Sequence, residues 1–204
     1  MAMQKGYIRT FSGKRVYPAG DHAANRTLEK IKLVDIAHHL SQINRYTGAT
    51  KTPYTVGLHS LVCGRLAYAR GYSDAVILAA LVHDGSEAYL SDLAAPVKDL
   101  PEFAPYREIE DRLQRLVYEK FLGRQPTEAE AALISEIDRA VFCAEWPIYM
   151  GDPEPGIPAP SDDATAAVLS VAGEFDPVDV RLKFDHTVRR WFLYARGLAP
   201  GAEL

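Results

Sequence analysis

An uninterrupted apolar run, AVILAALV, occupies residues 75–82. A helix formed by this run would be apolar on every face, so the run predicts a central helix that packs against neighbours on all sides. Ser73-Asp74 just before the run supplies an N-terminal cap. His83 and Asp84 follow the run directly. Because charge beside a buried helix is costly without compensation, this pair predicts a strong partner nearby, either a structural hydrogen-bonding group or a metal ion.

The remainder of the chain shows mainly helical periodicity. Residues 7–17 place β-type side chains on both sides of Ser12-Gly13 and predict a short hairpin. Helices are predicted over about 34–46, 54–70, 75–82, 106–123, 127–147 and 178–197, with a capping box formed by Thr127 and Glu130. The segment from 147 to 160 contains five prolines and two glycines, which predicts an irregular loop. The predicted fold class is therefore all-α, with a short N-terminal β-hairpin.

Length and composition limit the kind of protein. A chain of 204 residues with 48% hydrophobic residues can bury one sizeable core, so we expect a single domain over 1–204. Only two cysteines, Cys63 and Cys143, argue against a disulfide-stapled secreted domain. Residues 1–10 contain no apolar run suited to a signal peptide, and no apolar stretch approaches about 18 residues, so we expect a cytoplasmic protein without a membrane partner. A net charge of −4 disfavours polymeric nucleic acid as a partner but permits a small anionic ligand in a local pocket.

Two further polar residues on predicted helices can join His83 and Asp84. His59 lies in the helix over 54–70, and Asp138 lies beside the apolar stripe of the helix that follows Thr127. Two imidazoles and two carboxylates form a mixed nitrogen and oxygen set that suits a divalent transition metal better than calcium. The alternative for Asp138 is a solvated helix residue. Cys63, four residues after His59, could pair with it, but a cysteine in an apolar helix is usually a small core residue.

The ordered set His59, His83-Asp84 and Asp138 resembles the signature of the HD-domain metal-dependent phosphohydrolases, an all-helical superfamily. The segments INRYTG (43–48), PYTVGLHS (53–60), HDGSEAYLSDLAAPVK (83–98) and YREIEDRLQ (106–114) are similar to its branch of bacterial 5′-deoxynucleotidases and phage-type deoxynucleotide phosphohydrolases. The resemblance covers about 7–146 and implies an HD-domain helical bundle. The proline-rich loop (147–162) and a C-terminal helical extension (163–204) rest on pattern alone.

The resemblance implies two catalytic carboxylates. Glu87 matches a glutamate that assists the attacking water, and it would share a helix face with His83, four residues earlier, if that helix continued. Asp92 matches the aspartate of a G-D-L-P segment, for acid or water-positioning work, although Ser91 stands where the family often has glycine.

Three residues are implied in substrate binding. Lys98 can meet a phosphate as a point charge, and Arg45 can do so with a fork of donors. Tyr46 stands where relatives place an aromatic residue against the nucleoside, at the end of the helix predicted from about residue 34. The alternatives are a solvated lysine, a helix C-terminal arginine and a core aromatic residue. In the resembling family this corner leaves little room for a 2′-hydroxyl.

The resemblance implies a metal-dependent phosphohydrolase acting on small (deoxy)nucleotides, in first place a 5′-nucleotidase that releases phosphate from deoxynucleoside monophosphates. A deoxynucleoside triphosphate phosphohydrolase is the first alternative, and a non-catalytic nucleotide-binding regulator is the second. The ligand set does not decide between cobalt, manganese, zinc, iron, nickel and magnesium. The resemblance is also compatible with a homodimer.

Overall fold

The computed structural model describes residues 6–19, 28–152 and 154–198, which are predominantly helical. A hairpin of β1 (Ile8–Arg9) and β2 (Arg15–Val16) precedes the helices. The helices are α1 (Leu33–Leu40), α2 (Val56–Ala69), α3 (Asp74–Leu81), α4 (Glu87–Leu90), α5 (Ala95–Lys98), α6 (Ala104–Leu122), α7 (Glu128–Glu145), α8 (Asp162–Leu169) and α9 (Pro177–Ala195). The predicted all-α class with an N-terminal hairpin is confirmed. The single domain over 1–204 stays a prediction, and its residues 1–5, 20–27, 153 and 199–204 lie outside the described part.

The apolar run forms α3, and α3 lies at the centre of the bundle. Its residues 76–81 are all buried, and α2, α6, α7 and α9 pack around it. The contact with α2 is close, since a Cβ at Gly64 would lie 2.4 Å from Leu81 Cδ2. Each fully buried leucine or isoleucine of such a core contributes about 1.5–3 kcal/mol. The predicted central helix is therefore confirmed.

The helix ends follow local capping chemistry. Ser73 Oγ accepts a hydrogen bond from the Val76 N–H at 3.4 Å at the start of α3. At α7 the Glu130 N–H donates to Thr127 Oγ1 at 3.3 Å, and the Thr127 N–H donates to Glu130 Oε2 at 2.8 Å. Helix α6 ends at Gly123, which has a φ of 76°. The caps predicted from the sequence are confirmed.

The first predicted helix is shorter than its pattern indicated. Helix α1 ends at Leu40, so Arg45 and Tyr46 do not belong to it. The chain instead pairs with the start of α2, where the Arg45 N–H donates to the Tyr54 carbonyl at 2.9 Å. A single 3₁₀ turn, Tyr46–Gly48, follows. The prediction that Arg45-Tyr46 ends a helix from about residue 34 is wrong, because this pairing between distant residues draws the chain away.

The helix over 75–82 also stops before the polar pair. Helix α3 ends at Leu81, residues 82–86 form turns, and Glu87 starts the short helix α4. Gln114 of α6 binds the turn on both sides, accepting from the Ser86 N–H at 3.0 Å and donating to the Val82 carbonyl at 2.9 Å. The expectation that one continuous helix carries His83 and Glu87 is therefore wrong.

The C-terminal part is more helical than its prolines indicated. Trp146–Met150 continues α7 as a π-helical turn, and irregular chain follows through residue 160 where the structure describes it. The predicted last helix is α9, while the sequence patterns did not single out α8. None of the helices in the described ranges is long and apolar enough to cross a membrane.

Ser91, which follows α4, has a strained backbone. Its φ of 73° and ψ of 161° lie in a region that essentially only glycine adopts without cost. Two hydrogen bonds hold it there, from the Ser91 N–H to the Glu87 carbonyl at 2.8 Å and from the Tyr106 hydroxyl to the Ser91 carbonyl at 2.9 Å. This conformation sets the direction in which the chain continues to Asp92.

We expect Ser91→Gly to raise the free energy of unfolding by about 1 kcal/mol, because relief of strain exceeds the entropy cost of a glycine. Denaturant unfolding measures the change. The matched control is Ser135→Gly in the interior of α7, which should lower stability by about 0.5 kcal/mol. If Ser91→Gly loses as much stability as the control, the backbone of Ser91 is not strained.

Candidate metal centre and adjoining pocket

Four side chains from α2, the turn after α3, and α7 converge on one point. His59 Nε2 lies 3.3 Å from His83 Nε2, 3.1 Å from Asp138 Oδ1 and 3.6 Å from Asp84 Oδ2. His83 Nε2 lies 3.4 Å from Asp84 Oδ1 and 3.7 Å from Asp138 Oδ1. Ligand atoms bound about 2.1 Å from one ion lie about 3.0–3.4 Å apart at octahedral or tetrahedral angles. The spacing is thus close to that of ligands around a single ion.

The outer hydrogen bonds of the two imidazoles determine which nitrogen faces this point. His59 Nδ1 lies 2.6 Å from Glu145 Oε1, and His83 Nδ1 lies 2.8 Å from the Ala80 carbonyl. Because both partners can only accept, each Nδ1 carries the proton in the neutral ring and each Nε2 presents a lone pair. Two lone pairs and the nearby carboxylate oxygens would repel one another without a positive charge between them. The donor chemistry therefore fits a divalent metal ion.

Cys63 joins the same group. Its Sγ lies 3.5 Å from His59 Nε2, and the ligand atoms of His59, Cys63, His83 and Asp138 all lie within 4.8 Å of one another. Burial raises the pKa of the Cys63 thiol to about 11, so the thiol is protonated at neutral pH unless a metal displaces the proton. This His/Cys/His/Asp group could hold a metal ion. The sequence analysis had favoured a core role for Cys63.

Glu145, at the end of α7, is a buried carboxylate that the sequence analysis missed. Besides the His59 ring, it accepts from the Tyr54 hydroxyl at 2.8 Å, the Tyr46 hydroxyl at 2.7 Å and Arg45 Nε at 3.1 Å. Although burial opposes ionisation, Arg45 and His59 hold the pKa of Glu145 at about 2. The carboxylate therefore stays charged and orients the imidazole of His59, which belongs to the group that could hold a metal ion.

A sequence signal for Glu145 existed. The apolar stripe of α7 runs through Ile134, Ile137 and Val141, and Glu145 is the next position at helical spacing. A carboxylate on a stripe that faces the core requires buried partners. The pattern alone could have identified Glu145 as a buried acid, although not its partners.

A cavity of about 520 Å³ adjoins the metal-binding group. Asp84 and Asp138 line this cavity. The five residues predicted for catalysis and substrate binding also line it: Arg45, Tyr46, Glu87, Asp92 and Lys98. Three further residues from α7 and the following turn, which the sequence analysis did not single out, complete one wall: Arg139, Phe142 and Trp146. The volume lies in the range of small-molecule sites.

The two carboxylates predicted for catalysis are both perturbed. Glu87 is buried, and its Oε2 has no hydrogen-bond partner among the described residues. Burial, with Asp84 and Asp92 nearby, raises the pKa of Glu87 well above its ordinary value. Burial also raises the pKa of Asp92, against the opposite effect of Arg45. Both groups are therefore better proton acceptors than solvated carboxylates, and Glu87 keeps one oxygen unused.

The cations of the pocket differ in how far they are neutralised. Arg45 contacts Glu145 and lies 3.6 Å from Asp84 Oδ2 through Nη1. Lys98 Nζ lies 2.9 Å from Glu110 Oε1. Arg139 is exposed and forms no ion pair within the described part of the chain. Arg139 is therefore the least compensated of these three cations.

A larger depression of about 820 Å³ lies between the hairpin, α1 and α4. Among the predicted site residues only Glu87 borders it. The ring of His39 joins its walls, because it accepts from the Phe11 N–H at 3.0 Å and contacts the Ala88 carbonyl through Nδ1 at 2.5 Å. The cavity of about 520 Å³ is the candidate functional site, because Asp138 of the group that could hold a metal ion and the five predicted residues line it.

We expect Glu145→Gln to lower the free energy of unfolding by about 3–5 kcal/mol, because it leaves the buried Arg45 charge without its main partner. Metal affinity should fall by about 10–100-fold, since His59 loses its charged acceptor. Denaturant unfolding and metal titration measure the two effects.

The matched control is Glu136→Gln on the same helix, whose exposed carboxylate pairs with Arg70 at 2.9 Å. It should change stability by less than about 1 kcal/mol and leave metal affinity unchanged. Equal effects of the two substitutions would show that Glu145 does not organise the site.

Comparison with known proteins finds no family model that matches the chain. The chain is 33% identical over 115 residues to the uncharacterized protein YfdR of Escherichia coli K12, a match that covers 56% of this chain and 58% of YfdR. It therefore spans less than two thirds of that relative's length. It is also 33% identical over 148 residues to the uncharacterized protein RCAP_rcc00048 of Rhodobacter capsulatus, which covers 70% of this chain and 69% of the relative. Given this identity over more than two thirds of the Rhodobacter protein, the chain belongs to the same family as RCAP_rcc00048.

Proposed function

We propose that this chain is a metal-dependent phosphohydrolase of the HD-domain type that acts on (deoxy)nucleotides. In the form best supported, it is a 5′-nucleotidase that releases phosphate from deoxynucleoside monophosphates. The observation that carries the proposal is Glu87, a buried carboxylate with an unpartnered oxygen in the cavity beside the metal-binding group. A divalent ion in that group would supply Lewis acidity toward water and a phosphoryl oxygen.

The two perturbed carboxylates supply the proton transfers. Glu87 takes a proton from the attacking water as the new oxygen–phosphorus bond forms. Asp92 lines the same cavity and, in its protonated form, donates a proton to the 5′-oxygen as the old phosphorus–oxygen bond breaks. The raised pKa values of Glu87 and Asp92 favour both roles, because a proton donor or acceptor works best when its pKa lies near the working pH.

Phosphate binding falls to the cations of the cavity. Arg45 is held rigidly by Glu145, so its remaining guanidinium donors can meet a phosphate oxygen at little entropic cost. Lys98, which lines the same cavity, adds a point charge. Tyr46 places its ring beside Phe142 and Trp146, with centroid distances of 6.3 Å and 5.8 Å, which suits contact with a sugar or base.

The charge of the cavity favours the monophosphate. Its lining includes three cations, Arg45, Lys98 and Arg139, and five carboxylates, Asp84, Glu87, Asp92, Asp99 and Asp138. A monophosphate carries about two negative charges near neutral pH, because the second pKa of a phosphate ester is about 6. A triphosphate carries more negative charge than a monophosphate, so the carboxylates of the lining repel it more strongly.

One observation keeps the triphosphate alternative in consideration. Arg139 lacks an ion-pair partner within the described ranges, and it could meet a phosphate beyond the one that is cleaved. The regulator alternative requires binding without turnover. Metal-loaded protein incubated with deoxynucleoside mono- and triphosphates separates all three. Orthophosphate from monophosphates supports the nucleotidase, tripolyphosphate from triphosphates supports the alternative, and tight binding without product supports the regulator.

We expect Glu87→Gln to keep its metal and to lose turnover by about a hundredfold or more, because the amide cannot accept the proton. Metal analysis and steady-state kinetics measure the two effects. Glu108→Gln, on the exposed face of α6, is the control and should be unchanged. Activity of Glu87→Gln within a few-fold of the parent would remove Glu87 from the mechanism.

We expect Tyr46→Ala to narrow the preference for deoxyribonucleotides over ribonucleotides, since the ring would no longer crowd a 2′-hydroxyl. The parent preference should correspond to about 1–3 kcal/mol. Tyr46→Phe is the matched control, because it keeps the ring and loses only the hydrogen bond to Glu145. The measurement is the ratio of kcat/KM for a deoxyribonucleotide to kcat/KM for the matching ribonucleotide. This ratio should stay near the wild-type value in Tyr46→Phe. An unchanged ratio in Tyr46→Ala would assign selectivity to other residues.

A further inference from the structure

We propose that Cys63 is a metal ligand and that its sulfur makes the site select zinc-like ions, such as Zn²⁺ and Co²⁺, over Mn²⁺ and Mg²⁺. The inference rests on the metal site of the proposed function and names the class of ion that this site takes. It departs from the ligand set His59, His83, Asp84 and Asp138 that the sequence motif indicated.

The position of Cys63 follows from the helix that carries it. Cys63 lies four residues after His59 on α2, so the two side chains share a helix face. Its Sγ lies 3.5 Å from His59 Nε2. For metal bonds of about 2.0–2.1 Å to nitrogen and about 2.3 Å to sulfur, this separation corresponds to an angle of about 107° at the metal. That angle is close to tetrahedral.

The other two members of the group complete the same geometry. The separations from His59 Nε2 are 3.3 Å to His83 Nε2 and 3.1 Å to Asp138 Oδ1. With the same bond lengths they correspond to angles of about 95–110°. The ligand atoms of His59, Cys63, His83 and Asp138 all lie within 4.8 Å of one another, and together they offer an ion two nitrogens, one sulfur and one oxygen.

Asp84 lies on the cavity side of the group, as Asp138 does. It lines the cavity, and its Oδ2 lies 3.6 Å from Arg45 Nη1 as well as 3.6 Å from His59 Nε2. Cys63 is fully buried and lines none of the described cavities. The sulfur thus closes the site from the core, while Asp84 faces the substrate side and can act as an additional ligand there.

The burial of Cys63 also excludes two other roles. A sulfur that does not reach the cavity cannot attack a substrate, and it is shielded from dissolved oxidants. The Sγ of Cys63 also lies beside the Nε2 lone pair of His59, so an ion bound to this nitrogen would come within reach of the sulfur. On coordination, the metal–sulfur bond replaces the sulfur–hydrogen bond, and the proton passes to solvent.

The identity of the ion follows from the softness of sulfur. Thiolate ligands favour zinc-like ions, whereas carboxylate, carbonyl and water ligands suit Mg²⁺ and Mn²⁺. A site with Asp84 alone in the fourth position would have two nitrogen and two oxygen ligands. Replacement of one oxygen by sulfur therefore shifts selectivity toward Zn²⁺ and Co²⁺.

Titration of the metal-free full chain with Co²⁺ tests the ligand directly. A cobalt–thiolate bond produces a ligand-to-metal charge-transfer band in the near ultraviolet, which does not depend on turnover. We expect this band in the parent and its loss in Cys63→Ser. Cys63→Val, which fills the same space without a donor, is the second variant in case the serine variant does not fold. Cys143→Ser, the other buried cysteine, is the matched control and should keep the band.

Competition between Zn²⁺ and Mn²⁺ supplies a second readout. The preference for Zn²⁺ should fall by about tenfold or more in Cys63→Val relative to Cys143→Ser, the scale seen when interactions that tune a metal site are removed. Cobalt that binds the parent without the charge-transfer band, or a band that persists in Cys63→Val, would overturn the role of Cys63 and leave the proposed function standing. A parent that binds no Co²⁺, Zn²⁺ or Mn²⁺ would overturn the metal site and this inference together.

Discussion

The buried Glu145 carboxylate is the interaction on which the site depends. It is fully buried at the end of α7, and it accepts from the ring of His59, from Tyr54 and from the Arg45-Tyr46 corner. Burial of an isolated carboxylate would cost several kcal/mol, so it persists only because so many donors converge on it. One charge thereby joins α2, α7 and the turn before α2. The same charge orients the ring of His59, which belongs to the group that could hold a metal ion, on one side and the guanidinium of Arg45 on the other.

A second constraint is the close packing around the polar pair after α3. Gly64 allows α2 to approach Leu81, and a Cβ at Gly85 would lie 2.7 Å from Val117 Cγ1 of α6. Both contacts lie next to the turn that follows α3, and Gln114 of α6 holds this turn in place. His83 and Asp84 then face His59 although their own backbone is not helical. The apolar core therefore determines where the charged groups stand, and the metal-binding geometry follows from packing.

The local features of the fold were predictable from the sequence, whereas its long-range features were not. Periodicity and caps predicted the helices from α2 onward, apart from the short α4 and α5 and from α8, because these signals depend on neighbouring residues. The early end of α1 depends on pairing of Asn44 with Thr55, and the turn at His83 depends on Gln114 of another helix. No local pattern contains those partners. For the site, the motif indicated which residues carry the chemistry, while the acceptor role of Glu145 and the approach of Cys63 to His59 required the folded chain.

Under the proposed function, the arrangement of burial around the group that could hold a metal ion has a consequence for catalysis. Cys63 and His59 are fully buried, whereas Asp138 and Asp84 reach the cavity. An ion held here would be fixed from the core side by fully buried groups, and it would meet water from the side of the cavities that Asp84, Asp138 and His83 line. Glu87 lies on that open side with an unused oxygen. Under the proposed function, such a site separates two tasks, because buried residues hold the ion and residues of the cavity move protons. The raised pKa values belong to Glu87 and Asp92 in the cavity, and the strained Ser91 directly precedes Asp92, while the tight packing of α2 against α3 supports the buried side.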